Sequence, residues 1–274
     1  MIAIIDYGRG NLGSVEKAFE RVGIPAVVTE DPRAVDEAAA VVLPGDGAFH
    51  DAMANLAARG LIEPLRRALD GARPFLGICL GYQLLFSTSE EFGDGRGLDV
   101  IPGVVRRFPA GPKVPHMGWN RVHHGGALRL FEGIPDGAHF YFVHSYYPVV
   151  AGGVSSPRTE GGLTQERVAP DGGPTGGLLE EGVATDVARG VGGLPVGAGD
   201  TSAARAEGGL TREAGGSDMP DNAVRTAWCE YGVRFAAAIE RGRIHATQFH
   251  PEKSQRDGIR LLENFAALVK ENAR

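Results

Sequence analysis

The chain has 274 residues, of which 43% are hydrophobic and 23% are charged, and this length suits one large α/β domain or two small ones. Its net charge of −6, without a conspicuous Lys/Arg cluster, disfavours nucleic acids and membrane surfaces as partners, and no apolar segment approaches the ~20 residues that span a bilayer. Only two cysteines are present and the start of the chain lacks the basic residues of a signal peptide, so we expect a cytoplasmic protein without a disulfide framework.

Strand and helix patterns alternate along the first 150 residues. Residues 2–5 predict a buried strand, and Ser14 is placed to cap a helix that ends at Gly23. Further patterns predict strands at 27–29, 41–43 and 75–79, a helical stretch at 50–70 with a break near Gly60, and a helix over 80–89. Strand-like runs follow at 98–108, 119–123 and 139–143.

The composition changes between residues 151 and 225. This segment is crowded with Gly, Ala, Thr and Glu and contains no Phe, Tyr, Trp or Cys. Because it can bury little apolar surface, it cannot offset the entropy lost when its backbone is ordered. We therefore predict a mostly disordered insertion at 151–225, with residues 1–150 and 226–274 together forming one domain.

The globular pattern returns after the insertion. Strand patterns cover 226–231, 233–239 and 243–249, and a last helix begins at Ser254 with Asp257 as its capping partner. The early alternation of strands and helices predicts a mainly parallel central sheet flanked by helices, and the later strands add antiparallel pairs.

Cys79 lies at the predicted turn from a strand into a helix, within the run Gly-Ile-Cys-Leu-Gly at 77–81. A nucleophile at such a turn needs small neighbours, and the N–H groups that begin the helix favour a thiolate and an oxyanion. The alternative is a buried structural cysteine beside closely packed glycines. Cys229, between Trp228 and Glu230 in a strand pattern, is interpreted as a core thiol.

A cysteine nucleophile needs a histidine base, and His250 is the strongest of eight candidates. It follows a predicted strand, where α/β sheets place active sites, and Glu252 two residues later is placed to orient the imidazole. His144, also at a predicted strand end, is the competing base. A surface His-Pro-Glu turn is the other interpretation. The histidines and the two distant cysteines show no metal-ligand spacing.

A glycine-rich loop, Pro-Gly-Asp-Gly-Ala at residues 44–48, follows another predicted strand. The two glycines allow backbone N–H groups to face a reacting carbonyl and allow a peptide to reorient. An ordinary glycine-rich turn is the alternative for this segment, which we call the oxyanion loop.

These runs together resemble the class I (triad) glutamine amidotransferases, and more closely the glutaminase subunits of imidazole glycerol phosphate synthase. The resemblance covers residues 1–150 and 226–274. It is carried by five runs: Asp-Tyr-Gly-Arg-Gly-Asn-Leu at 6–12, the oxyanion loop with its next residue at 44–49, Gly-Ile-Cys-Leu-Gly-Tyr-Gln-Leu-Leu-Phe at 77–86, His-Met-Gly-Trp-Asn at 116–120 with His-Ser-Tyr-Tyr at 144–147, and Gln-Phe-His-Pro-Glu-Lys-Ser at 248–254.

The resemblance implies a reaction. Cys79 attacks the side-chain amide of glutamine, and His250, oriented by Glu252, transfers the thiol proton to the departing ammonia. Water then releases glutamate from the thioester. The ammonia passes to a separate (β/α)₈-barrel cyclase, which forms imidazole glycerol phosphate and AICAR without any cofactor in this subunit. The oxyanion hole is implied at Gly45, Asp46, Gly47 and Leu80.

Two further sets of residues are implied by position in the family pattern. The pocket for the amino-acid end of glutamine comprises Gln83, Glu91, Ser145 and Tyr146. The interface with the cyclase, in a heterodimer, comprises Asn11, Trp119, Tyr141 and Lys253. The alternatives are a core role for Trp119 and a solvated charge at a helix start for Lys253.

Two departures from the family pattern are evident. Asp46 stands where the oxyanion loop usually has valine, and a carboxylate near an oxyanion hole opposes negative charge. The insertion at 151–225 is the other. The competing functions are a stand-alone Cys-His-Glu hydrolase or peptidase, a glutaminase for another synthase, and a non-catalytic scaffold.

Overall fold

The computed structural model describes residues 1–71, 73–151 and 223–273, which all belong to one compact unit. The strands are β1 (Ile2–Ile5), β2 (Ala26–Thr29), β3 (Ala40–Leu43), β4 (Phe75–Ile78), β5 (Phe86–Ser89), β6 (Gly95–Arg96), β7 (Ile101–Arg107), β8 (His116–Val122), β9 (Ala138–His144), β10 (Tyr146–Val150), β11 (Arg225–Tyr231), β12 (Val233–Arg241) and β13 (Ile244–Thr247). The helices are α1 (Leu12–Arg21), α2 (Pro32–Glu37), α3 (Phe49–Ala58), α4 (Ile62–Asp70), α5 (Leu80–Gln83) and α6 (Gln255–Asn272), and 3₁₀ turns cover Arg129–Phe131 and Pro251–Lys253.

A seven-stranded sheet forms the centre of the protein, in the order β11-β12-β13-β4-β3-β1-β2. The pairs from β13 to β2 are parallel, and the pairs β11–β12 and β12–β13 are antiparallel. The predicted mainly parallel sheet with added antiparallel strands is therefore confirmed. The parallel strands β1, β3, β4 and β13 are buried at every residue, as expected for a sheet covered on both faces.

Two smaller sheets complete the fold. One has the order β10-β7-β5-β6, and the other is the antiparallel pair β8–β9. Apolar side chains pack on both faces of the central sheet: Ile4 belongs to the cluster that includes Phe19 of α1 and Phe265 of α6, whereas Ile5 belongs to the cluster that includes Leu56 of α3 and Leu65 of α4.

The predicted helix at 80–89 is wrong beyond its first turn. Helix α5 ends at Gln83, and Phe86–Ser89 forms β5, which pairs with β6 and β7. Ser87, Thr88 and Ser89 are weak helix formers, so pairing with neighbouring strands decides the conformation of this segment.

The predicted cap at Ser14 is wrong, and the predicted cap at Ser254 is right in position but not in its hydrogen bond. Helix α1 begins at Leu12, because the carbonyl oxygen of Asn11 already accepts the N–H groups of Ser14 and Val15. Ser254 precedes α6, but its hydroxyl makes no cap and instead binds two backbone groups of the candidate site described below.

The predicted insertion at 151–225 lies outside the described residues except at its ends. Ala151 follows β10, and Arg225 is already the first residue of β11. Within the described parts of the chain, no helix has the length and apolar character needed to cross a bilayer.

Candidate active site

Four segments that carry the candidate residues meet at one edge of the central sheet. His250 follows β13, Cys79 follows β4, the oxyanion loop follows β3, and Tyr7 follows β1. These strands are consecutive neighbours in the sheet and all four run parallel. Their carboxyl ends therefore lie side by side, which is the usual place for a site in an α/β sheet.

Cys79 has a strained backbone at the turn between β4 and α5. Its φ of 56° and ψ of −107° are unusual for a residue with a side chain. The turn is possible because Gly81 lies directly against the carbonyl group of Leu43, and a Cβ on Gly77 would lie only 2.9 Å from the carbonyl oxygen of Gly81. The N–H of Leu80 begins the helix and has no acceptor within it, so it is available to an oxyanion.

The thiol of Cys79 is nearly closed off from solvent. The residue is 6% exposed, and its Sγ lies 3.9 Å from the carbonyl oxygen of Val143. Gln248 Nε2 donates to the same sulfur at 3.7 Å. A sulfur held between an acceptor and a donor is kept in a fixed position beside β9 and β13.

His250 and Glu252 form a buried pair. Nδ1 of His250 lies 2.8 Å from Oε1 of Glu252, whereas its Nε2 has no hydrogen-bond partner among the described residues. Burial lowers the pKa of His250, but the negative charges of Cys79 and Glu252 outweigh burial and raise this pKa to about 10. The imidazole is thereby oriented by Glu252 and electrostatically coupled to the thiol, as the predicted Cys-His-Glu arrangement requires.

His144, the competing base, is occupied on both ring nitrogens. Nδ1 lies 2.8 Å from the carbonyl oxygen of Tyr146 and must donate to it, so Nε2 is the acceptor for Nδ1 of His116 at 3.0 Å. Burial is the main cause that lowers the pKa of His144 to about 3. A neutral histidine without a free nitrogen is a structural group, and this favours His250 as the base.

The oxyanion loop packs closely on its neighbours. Gly45 is buried against Leu80 and the hydroxyl of Tyr7, which leave no room for a Cβ. Asp46 is exposed, and its Oδ1 accepts the N–H of Gly10 at 3.1 Å. The carboxylate that replaces the usual valine is therefore held by the loop after β1.

The predicted pocket residues are partly brought together. Gln83 Nε2 donates to the carbonyl oxygen of Tyr146 at 2.9 Å and to Oε1 of Gln248 at 3.0 Å. Ser145, between His144 and Tyr146, is partly buried. Glu91 is buried, but its Oε2 accepts the N–H of Phe49 at 2.7 Å and so stabilises the start of α3. Its role toward a substrate stays a prediction.

The four predicted interface residues lie on, or next to, elements that contact His250 or the turn after it. Trp119, 47% exposed, faces Tyr141 across the β8–β9 pair, with their rings 6.1 Å apart. Lys253 is exposed in the turn after His250, and Asn11 is the residue before α1, which contacts that turn. The described residues contain no group of three or more His, Cys, Asp or Glu side chains placed to hold a metal ion.

Sequence reasoning did not assign two residues that contact this site. Gln248 bridges Gln83 and Cys79, and the signal for it was its place at the start of the run 248–254, two residues before His250. Tyr7 reaches the oxyanion loop from β1, a contact that no local pattern reveals.

The comparisons with known proteins agree with this geometry. The model of the family "Glutamine amidotransferase class-I" matches residues 3–157 and 192–269. Two solved structures share the fold: one described as a glutamine amidotransferase, with a TM-score of 0.57 and 15% identity over 98% of this chain and 100% of that one, and PurLQS from Thermotoga maritima, with a TM-score of 0.57 and 13% identity over 97% of each. The fold and the site thus define a class-I glutamine amidotransferase.

The more similar relatives narrow this class. "Imidazole glycerol phosphate synthase subunit HisH" of Moorella thermoacetica is 43% identical over 98% of this chain and 95% of its own length. The subunit of the same description from Geobacter sulfurreducens is 42% identical over 97% of this chain and 98% of its own length. The chain belongs to the family of imidazole glycerol phosphate synthase HisH subunits.

Proposed function

We propose that the protein hydrolyses glutamine to glutamate and ammonia and delivers the ammonia to a cyclase for the synthesis of imidazole glycerol phosphate and AICAR in histidine biosynthesis. The observation that carries this proposal is the buried His250–Glu252 pair beside the strained, nearly closed Cys79. The family membership of the chain supports the same reaction.

In the proposed mechanism, Cys79 and His250 react as a thiolate and an imidazolium. The sulfur attacks the side-chain carbonyl carbon of glutamine, and the proton on Nε2 of His250 passes to the departing amine, which leaves as ammonia. The resulting γ-glutamyl thioester is attacked by water, whose proton His250 accepts. Glutamate leaves and the thiolate is restored. Glu252 stabilises the charged imidazole during both steps.

The negative charge on the substrate oxygen is stabilised by backbone donors. The N–H of Leu80 and the N–H groups of Gly45, Asp46 and Gly47 are the proposed oxyanion hole. The amino-acid end of glutamine is proposed to bind among Gln83, Glu91, Ser145 and Tyr146, and the contact between Gln83 and Tyr146 supports part of this pocket.

The proposed partner is a separate (β/α)₈-barrel cyclase in a heterodimer. Asn11, Trp119, Tyr141 and Lys253 would face it, and a surface cavity of about 540 Å³ that borders Trp119 and extends to Ser254 and Asp257 offers room for partner side chains. The two free thiols suit a reducing compartment, so the cytoplasm is the proposed location.

The test is a glutaminase assay with and without the cyclase and its nucleotide ligand. Weak turnover by the isolated protein that the liganded cyclase raises strongly is the expected result. Turnover of peptides without any effect of the cyclase would favour a stand-alone hydrolase. Failure of a glutamine-analogue alkylator to label Cys79 in the complex would favour a non-catalytic scaffold.

A further inference from the structure

The hydroxyl group of Tyr7 is buried without a hydrogen-bond partner. The side chain is 0% exposed, and no described residue lies in hydrogen-bond geometry with its oxygen. A buried hydroxyl that loses its hydrogen bonds to water and gains none destabilises the folded state. Phenylalanine would fill the same space without that cost, so the presence of tyrosine needs an explanation.

The oxyanion loop is the neighbour of this hydroxyl. The Tyr7 oxygen lies where a Cβ of Gly45 would stand, and the N–H of Gly81 borders the same position at 3.2 Å. Burial, together with the negative charges of Asp46 and Cys79, raises the pKa of Tyr7 well above its ordinary value. The phenol therefore keeps its proton, so its hydroxyl can act as a hydrogen-bond donor or as an uncharged acceptor.

The two glycines of the loop permit a change in its backbone orientation. Gly45 and Gly47 lack side chains, and Gly47 has a φ of 86°, a conformation that favours glycine. The N–H and C=O of one peptide point in opposite directions. When an N–H turns toward the reacting oxygen, the carbonyl of that peptide must therefore turn away from it.

We propose that Tyr7 is a positioning residue for the oxyanion hole, whose hydroxyl donates a hydrogen bond to a carbonyl oxygen of the oxyanion loop when that loop takes its reacting orientation. The hydroxyl is thus unsatisfied in the resting protein and satisfied in the reacting one. This inference rests on the proposed glutaminase function.

Tyr7→Phe distinguishes the resting from the reacting state, because it removes only the hydroxyl and should affect the two in opposite directions. In the complex with the cyclase, kcat for glutamine falls by about fivefold or more, since one neutral hydrogen bond made only in the reacting state is lost. KM for glutamine stays unchanged. The melting temperature rises by about 2–4 °C, because the resting protein loses an unsatisfied group.

Tyr82→Phe is the matched control. Tyr82 is also wholly buried, in α5 next to the site, but its hydroxyl donates to the carbonyl oxygen of Ala236 at 3.3 Å. This variant loses a bond already present in the resting protein. Its melting temperature falls, and its kcat and KM match those of the wild type.

Several outcomes would overturn the proposal for Tyr7. They are an unchanged kcat in Tyr7→Phe, a raised KM at constant kcat, a lowered melting temperature, or an equal loss of kcat in Tyr82→Phe. A wild-type complex without glutaminase activity would instead reject the proposed function itself and this inference with it. An active wild type with an equally active Tyr7→Phe rejects the inference alone.

Discussion

The main-chain N–H of His250 donates to the carbonyl oxygen of Tyr141 at 2.9 Å. The hydroxyl of Ser254 strengthens this link, since it accepts the N–H of Tyr141 at 3.0 Å and donates to the carbonyl oxygen of His250 at 2.6 Å. The ring of Tyr141 faces the exposed Trp119 on the neighbouring strand. Tyr141 of β9 therefore links the proposed general base to the aromatic pair that is proposed to face the cyclase.

Ser254→Ala tests this link. The substitution leaves the Tyr141 N–H without a partner, whereas the His250 carbonyl keeps the N–H of Lys253 at 3.1 Å, so we expect the free energy of unfolding to fall by about 1–3 kcal/mol. We also expect kcat for glutamine to fall by about tenfold, because the imidazole loses part of its support. Ser87→Ala is the control: Ser87 Oγ accepts the N–H of Gly103 at 3.3 Å, in a pair of residues far along the chain from His250, and only stability should change. Equal kcat values for both variants would contradict the link.

The charge on His250 predicts a pH-dependent stability. Its pKa of about 10 exceeds the ordinary 6.5, so between these values the folded protein holds a proton that the unfolded chain has lost. The contribution is complete below pH 6.5 and disappears as the pH rises through 10. We expect wild type to exceed Glu252→Gln by about 2–4 kcal/mol near pH 6.5 and the difference to shrink by pH 10.5. Denaturant unfolding at both pH values is the measurement, and a constant or growing difference would argue against a charged pair.

Gly81→Ala tests the close packing around the nucleophile. A Cβ at this position would overlap the carbonyl group of Leu43, so the turn that carries Cys79 must shift. We expect a loss of about 3 kcal/mol in the free energy of unfolding. Gly13→Ala is the matched control, because that glycine lies in α1 with no atom within 4 Å of its added Cβ, and we expect a gain of about 0.5–1 kcal/mol. Similar effects of the two changes would show that the turn is not tightly packed.

Removal of residues 158–191 tests the proposed insertion. These residues lie between the two segments that match the family model. We expect the shortened protein to keep its glutaminase activity with the cyclase and a similar melting temperature. Loss of folding would contradict the proposal that 151–225 is an insertion into one domain.

Arg225 is the first residue of β11, at the end of the predicted insertion. Its guanidinium pairs at 2.6 Å with Oε1 of Glu240, whose side chain is 0% exposed. Arg225→Ala would remove one of the partners of this buried carboxylate, which keeps the N–H of Arg129 and the ring of His245, and we expect a loss of about 1–2 kcal/mol because Arg225 itself is 43% exposed. Circular dichroism melts should therefore give a lower melting temperature for this variant and an unchanged one for the 158–191 deletion.

The local sequence predicted the parts of the site that depend on strand ends. Cys79, His250 and the oxyanion loop each follow a strand of the parallel sheet, and parallel strands bring their carboxyl ends to one edge. Glu252 was predictable because an acceptor two residues beyond the histidine reaches its Nδ1. For the same reason, the alternation of strands and helices was enough to predict the central sheet.

Features that depend on distant contacts were not predictable. The residues after Gln83 have the pattern of a continued helix, but they pair with β6 and β7 and form strand β5. The hydroxyl of Ser254 has the spacing of a helix cap, yet β9 lies close enough to bind it. The unpartnered hydroxyl of Tyr7 depends on the packing of β1 against the loop after β3, which no local pattern encodes.

The most direct test of the account is Cys79→Ala in the complex with the cyclase. We predict that glutamine-dependent synthesis is lost, whereas synthesis from added ammonia continues at the wild-type rate. Cys229→Ala is the control: burial raises the pKa of this second thiol to about 12, so it should be inert and the variant should use glutamine normally. Glutamine-dependent synthesis that survives in Cys79→Ala, or loss of the ammonia-dependent rate as well, would contradict the account.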